Sequence, residues 1–133
     1  MMYFTQVQTA FDTKLNSFVP ALSIAWENTK YVPVLGTAFV RPQLNITNGD
    51  LSLISERQHK VIGNYIIDIF TEAEKGTKAS NELAGRLFAH FNSVNTIISS
   101  DINIFIGSIS KGAASLKENW WQTSLIIEFM FFK

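Results

Sequence analysis

The sequence predicts an α+β fold in which two helices pack on one face of a largely antiparallel sheet. Three observations predict it. Apolar residues recur every three or four positions in two segments, and they alternate with polar ones in most of the rest. No linker rich in Gly, Ser or Pro divides the 133 residues. We therefore expect a single domain, residues 1–133, with the order α-β-β-β-α-β-β(-β), in which the last strand is optional.

An apolar stripe near the start of the chain predicts the first helix. Thr5 and Gln8 fit a capping box, which predicts that the helix begins at Thr5. Pro20 ends it at or before Val19, because the residue before a proline is disfavoured in helical conformation. The stripe places on one helical face Phe4, Val7, Phe11, Leu15 and Phe18.

Two strands are predicted to follow the first helix. Residues 21–26 alternate large and small side chains with the period of a strand, and residues 37–46 form the next candidate. Pro42 lies inside the second candidate and cannot donate a backbone hydrogen bond. Its presence predicts an edge or a bulge there.

A tight turn and the clearest strand are predicted next. Residues 47–50 read Thr-Asn-Gly-Asp, and Asn-Gly tolerates the positive φ of hairpin turns. Residues 51–60 are expected to be a loop or the exposed end of a long strand. Residues 61–70 have two apolar-rich faces, and Gly63 among them indicates a bulge or the close approach of another backbone.

The second half of the chain predicts a loop, a helix and more strands. We expect a loop at residues 71–78, a helix at 77–92 and strands at 102–107 and 120–132. The last strand is apolar on both faces near its end, although a sheet with one solvated face should alternate cleanly. It is either a central strand covered on both faces or one whose outer face meets another subunit.

Composition excludes several classes of protein. Eleven Lys and Arg balance 11 Asp and Glu, which argues against a basic domain that grips nucleic acid through its phosphates. The absence of Cys excludes a disulfide scaffold, a thiolate zinc site and a cysteine nucleophile. Neither a targeting segment nor a membrane-spanning helix is predicted.

Catalytic signals are weak. His59 and His90 lack metal-ligand spacing, and we interpret them as one surface histidine and one beside the stripe of the second helix. Asp68 and Glu128 both fall in predicted strands, where they would form a carboxylate pair only if they faced each other. Without a nucleophile or phosphate-loop motif, the sequence predicts neither an enzyme nor a bound cofactor or metal.

Two stretches resemble a known family. The first reads LSIAWEN at residues 22–28 and is followed by Val-Pro at 32–33 and Phe-Val-Arg at 39–41. The second reads GNYIIDIF at residues 63–70 and precedes the Leu-Ala pair of the second helix at 83–84. Together they resemble the tail-terminator-like (minor tail or tail-completion) proteins of long-tailed phages.

The resemblance implies a structural virion protein. Such proteins form a ring, typically a hexamer, at the head-proximal end of the tail tube, where they end tube polymerisation and offer a surface to the head connector. The implied partners are other copies of the chain, the tail tube protein, the head-tail connector or adaptor, and genomic DNA passing through the lumen without specific recognition. No membrane is implied, and the protein would lie in host cytoplasm before assembly. The alternatives are a head-completion or connector adaptor and, in a different class, a small-ligand or nucleic-acid binding module.

Several residues are expected to contact neighbours or to anchor loops. Trp26 is expected to be a core anchor. Glu27, Asn28 and Arg41 are expected to fix the loop after the first strand or to contact a neighbouring subunit. Residues 55–60 and 71–78 are expected to touch the tube or the connector. The residues singled out are Trp26, Glu27, Asn28, Arg41, Glu56, Arg57, Lys75, Lys78, Trp120 and Phe132.

Overall fold

The computed structural model describes residues 3–51, 59–99 and 102–132. Two helices and seven strands lie in these ranges. In chain order they are α1 Tyr3–Asn16, β1 Ser23–Ile24, β2 Phe39–Leu51, β3 His59–Glu72, α2 Lys78–Asn92, β4 Thr96–Ser99, β5 Ile102–Lys111, β6 Ser115–Lys117 and β7 Trp120–Phe132.

The seven strands form one mixed sheet. Its order is β1-β2-β3-β7-β5-β4, and β6 pairs with β7 off this path. The short β1 runs parallel to β2, whereas the other described pairs are antiparallel. The predicted α+β class is confirmed. The predicted strand order is incomplete, because four strands follow α2 instead of two or three.

The start of α1 differs from the prediction. The helix already includes Tyr3, so the proposed capping box of Thr5 and Gln8 is wrong. The Gln8 amide instead donates a hydrogen bond to Oε1 of Glu27 at 3.1 Å, which ties the helix to the loop after β1. The helix ends at Asn16, before Pro20 as predicted.

The turn predicted at residues 47–50 is also wrong. These residues lie inside β2, and a bulge between Ile46 and Asn48 shifts the register there. The Asn-Gly pair favours a turn locally, but β3 extends back to His59 and offers backbone partners beyond it. Residues 52–58, which include Glu56 and Arg57, lie outside the described residues. Within residues 47–50, Asn48 pairs with Ile62, Gly49 with Val61 and Asp50 with Lys60.

Both helices pack on the same face of the sheet. Phe11 of α1 stacks on Tyr65 of β3 with ring centroids 4.7 Å apart, and Phe91 of α2 lies 6.2 Å from the same ring. Phe88 of α2 points away from this core and is exposed. The helical residues buried in this core are Val7, Phe11, Leu15, Leu83, Ala84, Leu87 and Phe91.

A smaller apolar cluster lies on the opposite face of the sheet, which we call the outer face. Phe39 and Phe70 stack there with centroids 4.6 Å apart, and Trp120 meets Phe39 edge-on at 5.0 Å. Tyr31 also packs on Phe39, so the segment between β1 and β2 covers this end of the outer face.

The last strand, β7, is central in the sheet, and among the described residues the helices cover only one of its faces. It pairs with β3 on one side and with β5 on the other. Its core-facing residues, such as Ile127 and Phe131, are fully buried. On the outer face Ile126 and Met130 are half-buried, and Phe132 is 42% exposed. Of the two sequence-based alternatives, the double cover is therefore not observed among the described residues.

Candidate functional site at the sheet edge

Four of the singled-out residues meet in one depression beside β2. The depression has a volume of about 310 Å³, and we call it the edge depression. The segment after β1 forms one wall and the start of β2 forms the other. Its lining comprises Ala25, Trp26, Glu27, Asn28, Thr29, Tyr31, Arg41 and Gln43.

The backbone edge of β2 is blocked along this depression. The Val40 carbonyl accepts a hydrogen bond from the Ala25 N–H at 2.8 Å, and the Leu44 N–H donates to Oε1 of Glu27 at 3.1 Å. Because backbone groups of alternate residues point to the same side of a strand, Pro42 faces this edge as well. It has no N–H to offer. The predicted edge position of Pro42 is therefore confirmed, and the edge resists pairing with another chain from Val40 to Leu44.

A tight turn returns Glu27 towards β2. Asn28 has a φ of 55°, a conformation that asparagine tolerates better than most residues. The Trp26 carbonyl accepts hydrogen bonds from the Thr29 N–H at 3.3 Å and from the Thr29 hydroxyl at 2.7 Å. Trp26 itself is half-buried and packs against the main core, which anchors one side of the turn.

Arg41 lies on the outer face beside a buried carboxylate. Its guanidinium carbon is 5.1 Å from the centroid of the Phe70 ring, a cation–π distance. The carboxylate of Asp68, opposite Arg41 in the pairing, accepts hydrogen bonds from the Gln43 amide at 3.0 Å and the Ser124 hydroxyl at 2.7 Å. These bonds satisfy a carboxylate that is only 7% exposed.

The hypothetical carboxylate pair does not form. Asp68 lies opposite Ser124, whereas Glu128 lies opposite Asn64, four residues away along β7. Glu128 is exposed and accepts a hydrogen bond from the Ser108 hydroxyl at 2.8 Å. Each carboxylate is bound to neutral donors, an arrangement typical of structural carboxylates.

A carboxylate of α1 forms a hydrogen bond with a core tyrosine of β3. The Tyr65 hydroxyl donates to Oδ1 of Asp12 at 2.5 Å. Burial raises the pKa of Asp12 above its ordinary value of 3.8, the bond from Tyr65 lowers it in part, and the charge of Glu27 raises it again. Burial and the bond to Asp12 also raise the pKa of Tyr65, which keeps the phenol protonated and able to donate.

Replacing Asp12 should remove a pH dependence of stability. A carboxyl group whose pKa is higher in the folded than in the unfolded protein stabilises the fold at pH values below the unfolded-state pKa. This stabilisation is lost as the pH rises through the folded-state pKa. Asp12→Asn cannot titrate but keeps an acceptor for Tyr65. We expect the wild-type free energy of unfolding to fall relative to that of Asp12→Asn as the pH rises above the ordinary pKa of 3.8. Urea unfolding at several pH values measures this, and parallel curves for the two proteins would contradict it.

The remaining singled-out residues lie elsewhere. Lys75 is exposed in the turn after β3, and Lys78, at the start of α2, pairs with Glu82 at 3.9 Å. Trp120 packs on Phe39, and Phe132 lies at the far end of β7. The loop predicted at 71–78 is shorter than expected, because its first two residues belong to β3 and its last to α2.

Sequence reasoning missed several residues of this region. Gln43 shares the outer face with Arg41, a placement that the period of two in residues 37–46 indicates. Asp12 and Tyr65 gave no such signal, because residues 53 positions apart are joined only by the packing of α1 on the sheet.

His90 connects the end of α2 to the end of α1. His90 Nε2 lies 2.7 Å from the Lys14 carbonyl and 3.2 Å from the Ser17 hydroxyl. This position agrees with its interpretation as a residue beside the stripe of α2. Within the described ranges, no group of His, Asp and Glu side chains is arranged to hold a metal ion. None of the described helices is long and apolar enough to cross a membrane.

The geometry defines an α+β protein whose polar contacts block part of a sheet edge and fix the loop beside it. Residues 6–129 match the family described as phage tail terminator protein. The chain therefore belongs to that family, as its sequence resemblance implies, and is a structural component of a phage tail.

Comparison with solved structures supports the same fold. One structure superposes with a TM-score of 0.76 at 18% identity, covering 98% of this chain and 96% of that chain. It carries a sequence identifier in place of a functional name, so it is informative about the fold alone. No curated protein matches the chain.

Proposed function

We propose that the protein forms a ring, hexameric in the family pattern, at the head-proximal end of the tail tube. There it ends tube polymerisation and provides the docking surface for the head connector. The observation that carries this proposal is the family match over residues 6–129. The match also favours a structural role over the alternative of a small-ligand or nucleic-acid binding module.

The outer face supports self-association. Phe105 of β5 and Phe132 at the end of β7 are 41% and 42% exposed on the outer face of two adjacent strands. Exposed apolar patches of this kind are typical of protein contacts. A closed ring needs different surfaces on the two sides of each subunit, and the two ends of one sheet differ in this way.

The other proposed partners are the tail tube protein, the head connector and the DNA in the lumen. The turn after β3, with Lys75, and the edge depression are the surfaces that we propose for the tube protein and the connector. Balanced charge gives the chain no strong positive potential overall, which is compatible with DNA sliding through a lumen without being held.

The test is the phenotype of a phage in which the gene for this chain is interrupted. We expect tails of uncontrolled length that lack heads, seen by negative-stain electron microscopy, and normal tails when the chain is supplied in trans. Tails of normal length without heads would instead identify a connector adaptor. Fully infectious virions would overturn both assignments, and labelling the chain in wild-type virions should place it between head and tube.

A further inference from the structure

The two edges of the sheet differ in whether their residues prevent pairing with another strand. At the β2 edge, the stretch from Val40 to Leu44 is blocked by β1, Pro42 and the Glu27 carboxylate, as described above. At the opposite end lies β4, Thr96–Ser99, which pairs with β5 only, among the described strands. Its four residues, Thr-Ile-Ile-Ser, include neither a proline nor a charged residue, and residues of these kinds commonly prevent a sheet edge from pairing with another chain.

The β4 backbone offers hydrogen-bonding groups outwards. The Ile106 N–H donates to the Asn95 carbonyl at 2.9 Å, so Asn95 faces β5. Because antiparallel residues alternate between facing the partner and facing away, Thr96 and Ile98 direct their N–H and C=O groups away from β5. A strand laid against this edge would find one donor and one acceptor at each of these two residues.

An apolar surface continues from this edge along the outer face. Ile98 is 74% exposed, and Thr96 lies opposite Phe105, which in turn lies opposite Met130 of β7. The patch therefore reaches from the open edge to the centre of the sheet. An added strand would gain backbone hydrogen bonds and would also bury part of Ile98 against its own outer-face side chains.

We propose that β4 accepts a strand from a second copy of this chain and that the donor is residues 45–51 of β2. This proposal rests on the ring proposed above and identifies its subunit contact. Beyond Leu44 the outer edge of β2 pairs with no described strand, since β1 reaches only Phe39 and Val40. One open edge at each end of a sheet gives the two unlike surfaces that a head-to-tail ring needs, whereas β4 on β4 would close a dimer.

The absence of cysteine in the chain makes the contact testable by cross-linking. Ile98→Cys and Asn45→Cys place thiols at the exposed outer-face positions of the two edges. In assembled tails or concentrated protein, a mixture of the two variants treated with a short bismaleimide should give a cross-linked dimer. The double variant should give a ladder of larger oligomers. Dimers from Ile98→Cys alone would overturn the head-to-tail pairing.

A proline substitution tests the backbone contact itself. Ile98→Pro removes an outward N–H without removing a bond to β5, and Ile98→Ala is the matched control that shortens the side chain but keeps the N–H. We expect association at least about tenfold weaker for proline than for alanine, with both monomers folded by circular dichroism. Equal association of the two variants overturns the edge contact and leaves the ring intact, while the absence of any oligomer in wild-type tails overturns the ring as well.

Discussion

Phe11→Ala should lower the free energy of unfolding by about 3–5 kcal/mol, the usual cost of removing a buried aromatic ring. The Phe11 side chain is fully buried and stacks on Tyr65 at 4.7 Å. It also lies 5.0 Å from Phe129 and 6.4 Å from Phe91, so one ring joins α1, α2 and two central strands. Because a small protein has only about 5–15 kcal/mol of stability, this loss would leave the variant near its unfolding threshold.

The control for Phe11→Ala is Phe88→Ala, which removes the same atoms from a helical position that is 41% exposed. We expect this second change to cost less than about 1 kcal/mol, as for most surface substitutions. Urea unfolding followed by circular dichroism measures both. Similar losses for the two variants would show that α1 does not pack on the sheet as described.

The long periodic elements could be predicted because their own sequences determine which face is buried. The strand predicted at residues 120–132 has the observed bounds, and the stripe through Val7, Phe11 and Leu15 is the buried face of α1. The short strands β4 and β6 could not be predicted, since three or four residues carry too little periodicity. They are strands only because β5 and β7 pair with them.

Four of the ten singled-out residues line the edge depression, but the contacts that they make could not be predicted from the sequence. The family resemblance singles out Trp26, Glu27, Asn28 and Arg41 together with six other residues, and these four lie in one depression. Glu27 blocks the edge of β2 because its carboxylate accepts a hydrogen bond from the Leu44 N–H. This bond requires the backbone of Leu44 to face the edge and not β3. This register is set by the pairing of β2 with β3, and the local sequence does not determine it.

Gly63→Ala should destabilise the protein by about 1–3 kcal/mol, because the added methyl has no room. A Cβ at Gly63 would lie 2.5 Å from the Asn45 carbonyl oxygen and 2.7 Å from Cζ of Phe129. The carbonyl belongs to the neighbouring strand beside the bulge of β2, so relief would require the two strands to separate. The close approach that Gly63 indicates in the sequence is thus confirmed.

Gly107→Ala provides the matched control for Gly63→Ala, since both glycines lie in strands and neither requires a positive φ. The nearest atom to a Cβ at Gly107 is the Glu128 carbonyl oxygen at 3.5 Å, an ordinary contact. We expect this change to be neutral or stabilising by up to about 1 kcal/mol, because alanine restricts the unfolded chain. Thermal unfolding distinguishes the two, and an unchanged melting temperature for Gly63→Ala would mean that β2 and β3 are not held this closely. Since the same pairing carries residues 45–51, a variant that separates β2 from β3 should also lose the proposed contact with β4 of the next subunit.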